Sequence, residues 1–297
     1  MNNAISLIVA TLNRTDELAR FIESLGPVTG IAIDLIIVDQ NRDDRIDRLL
    51  ADTPRNPVID VQHLRFDRNN QSLARNYGLT KARYDLIGFP DDDCWYEPDT
   101  LARVMAIFTD QPALGAILGR WVEHAVVVPA QAEPVSLRSL LDFRSVPTSA
   151  IIQFFRREAL PAADPFDHQF GAYRENGGYF GCGEETDLMI SVARRGHTVL
   201  FSPEVRVHHK YAPRRFDSLE QQFAFTRHRA RGTGGLYAKH QSAPYVVLRG
   251  LTSPFIRSWR YVFRPAQFVT HTALWLGRVE GYLRWWHRYG RHRHPSL

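Results

Sequence analysis

Residues 5–26 read ISLIVATLNRTDELARFIESLG. The opening ISLIVAT is short, mainly apolar and rich in β-branched side chains, which marks a strand. In the remainder, Leu18, Phe21, Ile22 and Leu25 recur at helical spacing. A strand that is apolar almost throughout expects cover on both of its faces. The same alternation continues with IDLIIVDQ (33–40), RIDRLLAD (45–52), VQHLRF (61–66), SLARNYGLTKA (72–82) and DLIGFP (85–90). Strands and helices taken in turn predict an α/β chain, with a Rossmann-like, mostly parallel sheet flanked by helices.

Beyond residue 98 the spacing predicts a helix over 99–110 and a strand over 114–123. Periodicity then fades across 124–148, which holds Pro129, Pro134 and Pro147 and reads as a connection or insertion. A strand-like run returns at 149–160. The glycine-rich GAYRENGGYFGCG (171–183) leads into a helix that Gly196 stops, and TVLFSPEVRVHHK (198–210) reads as a strand pair broken at Pro203. From 217 onward the pattern is helical.

The 297 residues include only two cysteines, Cys94 and Cys182, too far apart and too few for a disulfide framework or a zinc knuckle. No secretory leader or spanning run is legible, so the expected location is cytoplasmic. The net charge of +5 is uneven. Residues 251–297 hold eight arginines against one acid, Glu280, a local +7 that leaves about −2 for everything before them. Four of the six tryptophans lie there as well.

In open α/β sheets ligands bind beyond the carboxyl ends of the strands. Thr11, Asn13 and Arg14 follow the first strand, Asp39, Gln40 and Asn41 the second, and Asp91, Asp92 and Asp93 the fourth. Three adjacent carboxylates repel one another unless a cation neutralises them, and oxygen-rich sites of this kind suit Mn2+ or Mg2+. Strand alternation sends Asp91 and Asp93 to one side and Asp92 to the other. The competing reading is an acidic turn that caps the next helix through Asp99 or Thr100.

The segments SLIVATLNR, LIIVDQN, NNQSLARNYGL, IGFPDDDCWYEPDTL and GCGEETDLMISVARRG together resemble glycosyltransferase family 2, inverting enzymes of the GT-A fold that use nucleotide-diphosphate sugars. The resemblance covers roughly residues 4–212. It implies a nucleotide-sugar site formed by Thr11, Asn13, Arg14, Asp39, Arg75, Asp91 and Asp92, with Asp39 accepting the N3 hydrogen of uracil or thymine and Arg75 reaching the ribose or diphosphate. VDQNRDD departs from the family's frequent Val-Asp-Asp-Gly-Ser, and the second acid is missing. The resemblance also implies metal ligation by Asp93 and Asp91, joined by a histidine after the last strand, His209 by spacing rather than His208. Glu185 takes the place of the general base, with Glu184 and Asp187 as alternatives. The bland reading of these acids is that they favour the positive end of the helix they open. Lys210 and the arginines at 214 and 215 would support the leaving diphosphate by charge.

The implied organisation is a catalytic domain over 1–215, with a nucleotide-sugar half to about 123 and an acceptor half over 124–215, and a helical, basic and aromatic extension over 216–297. The implied donor is a UDP- or dTDP-sugar. The implied acceptor is a glycan or lipid-linked glycan of bacterial surface polysaccharide synthesis, handled at the inner face of the cytoplasmic membrane. In the extension, Trp275, Val279, Tyr282, Trp286 and Tyr289 share one helical face, with Arg284, Arg288 and Arg291 opposite. That face, within 270–294, suits either an anionic membrane surface or packing on the catalytic domain or a second subunit of a homo-oligomer. No nucleic-acid motif accompanies the arginines. The alternative functions are a nucleotidyltransferase, disfavoured because no glycine-rich phosphate loop follows the first strand, and a non-catalytic carbohydrate-binding or scaffold module.

Overall fold

Strand β1 (Ala4–Thr11) is buried along its whole length, as its mainly apolar run requires. The computed structural model describes residues 3–54, 56–142, 147–171, 179–210 and 214–290. These group into two compact units. One contains Met1–Leu137, Ser145–Phe166 and Ser191–Tyr211, and the other Arg138–Arg144, Asp167–Ile190 and Ala212–Leu297.

The first unit is built on a nine-stranded sheet. Its strands are β1, β2 (Ala32–Asp39), β3 (Ile59–Arg65), β4 (Leu86–Gly88), β5 (Cys94–Tyr96), β6 (Leu114–Trp121), β7 (Glu133–Pro134), β8 (Gln153–Arg156) and β9 (Thr198–His209). Their order is β3-β2-β1-β4-β8-β6-β9-β5, with β7 on β9. The sheet is parallel through β3-β2-β1-β4 and mixed beyond, because β8 runs antiparallel to both β4 and β6. Helices α1 (Asp16–Ser24), α2 (Arg45–Asp52), α3 (Gln71–Leu79) and α4 (Thr100–Asp110) connect the strands. Leu18, Phe21 and Ile22 of α1 and Leu101, Val104 and Phe108 of α4 join β1 and β2 in one core. On α3 a methyl group at Gly78 would stand 2.5 Å from Ile8 Cγ2, so only glycine lets this helix lie so close to β1.

Register sets the rim of the sheet. Thr11 pairs with Asp39, and Asp39 with Arg65, so the carboxyl ends of three strands stand level. The run 198–210 forms one strand rather than a broken pair. Pro203 lies where the β6 pairing slips, from Leu118 opposite Phe201 to Arg120 opposite Arg206, and there its missing N–H leaves no gap in the ladder. Strand β5, too short to show a period, pairs antiparallel with β9 and sets Cys94 opposite His209.

The second unit is helical. It includes most of α5 (Leu137–Leu141), the start of α6 (Glu184–Arg194) up to Ile190, and α7 (Leu219–Lys239), α8 (Pro244–Arg260) and α9 (Pro265–Tyr289). The face that α9 buries runs through Ala273, Gly277, Gly281 and Trp285, a strip beside the expected Trp275–Tyr289 stripe. Size rather than apolarity decides it. A Cβ at Gly281 would meet the Arg231 carbonyl oxygen of α7 at 2.0 Å, so the two backbones approach as closely as glycine allows. Trp285 stacks on Phe170 at 5.4 Å, Tyr282 and Tyr289 pack beside this cluster, and Trp286 faces solvent. Arg284 and Arg288 are exposed. Arg291 and most of the glycine-rich run (172–178) lie outside the described residues. Among the described residues no helix is long and apolar enough to cross a membrane.

Candidate active site

The three aspartates beyond β4 part company. Asp91 Oδ1 accepts from Arg75 Nη2 at 2.6 Å and from Gln71 Nε2 at 3.0 Å, both on α3. Asp93 lies 3.0 Å from His209 Nε2, a contact made by the β5–β9 register. One ligand atom from each of Asp91, Asp93 and His209 falls within 4.8 Å of the others. Asp92 turns away and is buried, accepting from the Thr11 hydroxyl at 2.8 Å and from Arg14 Nη1 at 2.7 Å. Burial pushes the Asp92 carboxyl up to about 6 although Arg14 and Thr11 pull the other way.

Burial alone would also raise Asp93, but the hydrogen bond and charge of His209 and the charge of Arg14 outweigh it and hold the carboxyl below its ordinary value. Burial would lower His209, yet Asp93 and then Asp91 prevail and raise it. The imidazole is thus biased toward the proton that a metal would displace. Its Nδ1 is buried and has no hydrogen-bond partner among the described residues. Two carboxylates and one imidazole form a mixed O/N donor set that fits a divalent ion such as Mn2+ or Mg2+.

His208 takes no part in this cluster. Alternation on β9 sends it to the other face, where Nδ1 meets Glu123 at 2.7 Å, Nε2 meets Glu97 at 3.1 Å and the ring stacks on Trp95. Residues expected to touch the nucleotide are largely engaged with one another. Asp39 is fully buried; Oδ1 accepts from the Asn41 amide N–H and side chain, and Oδ2 lies 2.9 Å from His63 Nε2 and 2.8 Å from Arg65 Nη1. All four of these contacts commit the Asp39 carboxylate to this cluster, and beside it stand the exposed Arg65 and the half-buried His63. Asn13, in the left-handed region at φ 60, donates its backbone N–H to Asn41 Oδ1. Arg75 is buried, its guanidinium 5.2 Å from the Phe166 ring; it reaches Asp91 rather than open solvent. Arg14 is the exposed cation of the set, bridging Asp92 and Asp93.

In the second unit, Gly183 (φ +114) makes the turn into α6, where an added methyl would stand 2.9 Å from Leu236. Of the three acids just after it, Glu184 and Asp187 are buried and Glu185 is half-buried. Asp187 is held by Lys239 Nζ at 2.7 Å and His240 Nε2 at 2.7 Å, and Lys239 also reaches Asp167 at 2.8 Å. A carboxylate committed in this way is unsuited to act as the base, which leaves Glu185 as the accessible acid.

Residues 6–156 match the sequence profile of glycosyl transferase family 2. The chain belongs to glycosyl transferase family 2. Among curated proteins it resembles the succinoglycan biosynthesis protein ExoO of Rhizobium meliloti, 27% identical over 56% of this chain and 45% of that one. It also resembles the putative glycosyltransferase EpsH of Bacillus subtilis, 30% identical over 37% of this chain and 32% of that one. The chain spans less than half the length of these relatives. Its fold, the GT-A fold, matches that of the mannosyltransferase PcManGT of Pyrobaculum calidifontis, solved with GDP-Man and Mn2+, at TM-score 0.61 and 15% identity over 93% of this chain and 86% of that one. The S. aureus TarS 1–349 structure with UDP-GlcNAc matches at TM-score 0.57 and 13% identity, over 91% and 90% of the two chains.

In this family-2 chain several site residues escaped the sequence reading. Gln71, His63 and Arg65 are polar positions within strand and helix patterns, indistinguishable by period from solvated ones. Only the level strand ends and the approach of α3 bring them to the rim. Lys239 and His240 end a helix 52 and more residues beyond Asp187, and no local motif links them to it.

Proposed function

We propose that this chain is an inverting, metal-dependent glycosyltransferase that moves a sugar from a nucleotide-diphosphate donor to a glycan or lipid-linked glycan acceptor in bacterial surface polysaccharide synthesis, working at the cytoplasmic side of the membrane. The observation that carries this reading is the convergence of Asp91, Asp93 and His209 on one point at the strand ends. A Mn2+ or Mg2+ ion held there would offset the charge of the nucleotide diphosphate as it leaves. Arg75 and Gln71 fix Asp91, while Arg14 offsets the charge of Asp92 and Asp93 and faces the donor phosphates. Arg65 and His63, held by Asp39, present donors to the base of a UDP- or dTDP-sugar.

Glu185 takes the proton from the acceptor hydroxyl as its oxygen attacks the anomeric carbon opposite the diphosphate. The bond from that carbon to the diphosphate oxygen breaks, and the configuration inverts. Lys210 and Arg214 lie just past β9 and add positive charge for the leaving group. The catalytic domain is assigned to 1–215 and the helical extension to 216–297.

A thermal-shift panel of UDP-, dTDP- and GDP-sugars with and without Mn2+ tests the proposal. One donor stabilising the chain only with the metal is the expected outcome. A panel in which no nucleotide sugar shifts the melt would contradict it.

A further inference from the structure

Helix α8 places its side chains the wrong way round for a surface helix. Its buried face is Val246, Gly250, Pro254 and Ser258, mostly small residues, and Gly250 lies against the Tyr237 ring of α7, where a methyl would come within 2.4 Å of the hydroxyl. Large apolar residues lie outside. Leu248 is 64% exposed, Ile256 55%, Trp259 65%, and in the turn after the helix Val262 is 48% and Phe263 94% exposed. Leu248, Ile256 and Trp259 fall on one stripe of α8, and Val262 and Phe263 follow it in the turn. Five large apolar side chains exposed along one helix and the turn after it mark a binding surface.

Along α8 and the turn after it the side-chain charge is of one sign, and Asp142, the acid that Tyr245 meets at 2.8 Å, is buried. From residue 241 to 279 there is no aspartate or glutamate, while Arg249, Arg257, Arg260 and Arg264 are all exposed. A second copy of the chain fits such a patch poorly, since a two-fold interface would set these arginines against themselves with no acid between them. An anionic lipid surface satisfies both features at once: Trp259 and Phe263 suit the boundary between headgroups and acyl chains, and the arginines suit lipid phosphates.

We infer that the Leu248–Arg264 face of the second unit docks on an anionic lipid bilayer, lying in its interface without spanning it. This surface lies on α8 and the turn before α9, not on the aromatic stripe of α9. It does not depend on the catalytic reading.

Sedimentation of the full chain with vesicles tests the inference. With vesicles of phosphatidylcholine containing about a quarter phosphatidylglycerol the protein pellets, and with phosphatidylcholine alone it stays mostly in solution. Trp259→Glu/Phe263→Glu and, separately, Arg257→Gln/Arg260→Gln weaken the binding about tenfold or more. Trp286→Glu, on the exposed part of α9, binds like wild type. All four side chains of the two double variants are exposed, so the melting temperature stays close to that of wild type. Failure of the wild type to pellet with anionic vesicles, or undiminished binding by both double variants, would overturn the inference. So would sedimentation velocity showing a dimer that the apolar substitutions dissociate, with no vesicle binding.

Discussion

Replacing Lys239 with methionine removes the cation that stands between Asp187 and Asp167, at 2.7 Å and 2.8 Å. Asp187 is only 2% exposed, so it stays behind as a buried charge with His240 as its remaining partner. Stranding a buried charge costs about 3–5 kcal/mol, and the surviving His240 contact sets the expectation near the lower end, about 3 kcal/mol. For a chain of a few hundred residues that lowers the melting temperature by about 6–12 °C, at 2–4 °C per kcal/mol. Adding Asp187→Asn to Lys239→Met removes the stranded charge and recovers part of the loss.

The pH dependence separates charge from packing. Burial would raise Asp187, but Lys239 and His240 outweigh it and hold its folded value below the ordinary range. A depressed acid contributes stability that is present above its unfolded value of about 3.9 and is lost as the pH falls through the lower folded value. Burial would lower Lys239, yet Asp187 and Asp167 raise it. That contribution is present below about 10.4 and is lost as the pH rises through the raised folded value. Calorimetric melts of wild type and Lys239→Met are therefore expected to differ most near pH 7, with the gap narrowing as the pH falls below about 4 toward the lower folded value of Asp187. Equal melting at pH 7 would refute the ion-pair reasoning. An unchanged gap down to pH 3 would show that the lysine acts by packing alone.

Glu185→Gln is expected to keep donor binding and to lose at least about a hundredfold in turnover, measured by nucleotide diphosphate release. Arg75→Met frees Asp91 from its buried partner and is expected to weaken Mn2+-dependent donor binding by about 10–100-fold in a calorimetric titration, with little change in metal-free nucleotide binding. Gly281→Val forces α9 away from the Arg231 carbonyl and should lower stability by about 1–3 kcal/mol or more in denaturant titration; a neutral result would mean that the helices do not meet there.

The first four strands and the helices between them were legible because each carries its own period, and the strand ends named the rim once a parallel sheet was assumed. The junction of Asp93 with His209 was partly legible: spacing favoured His209 over His208, but the β5–β9 register that delivers it rests on a three-residue strand with no pattern of its own. Asp39 shows the limit of motif reading. Its position after β2 is visible in sequence, whereas its four partners come from β3 and the turn after β2, where no local pattern marks them. On α9 the apolar pattern pointed one residue round from the buried face, because close backbone approach selects Gly277 and Gly281 by size.

The cluster of Asp91, Asp93 and His209 carries the proposed chemistry. Its most direct test is titration of Mn2+ with the nucleotide sugar chosen by the thermal-shift panel into wild type and Asp93→Asn, followed calorimetrically. Metal-dependent donor binding in the wild type that falls by about 1.4 kcal/mol or more, tenfold in affinity, in the variant is the result predicted. Equal affinity in the two proteins, or donor binding in the wild type indifferent to Mn2+, would contradict it.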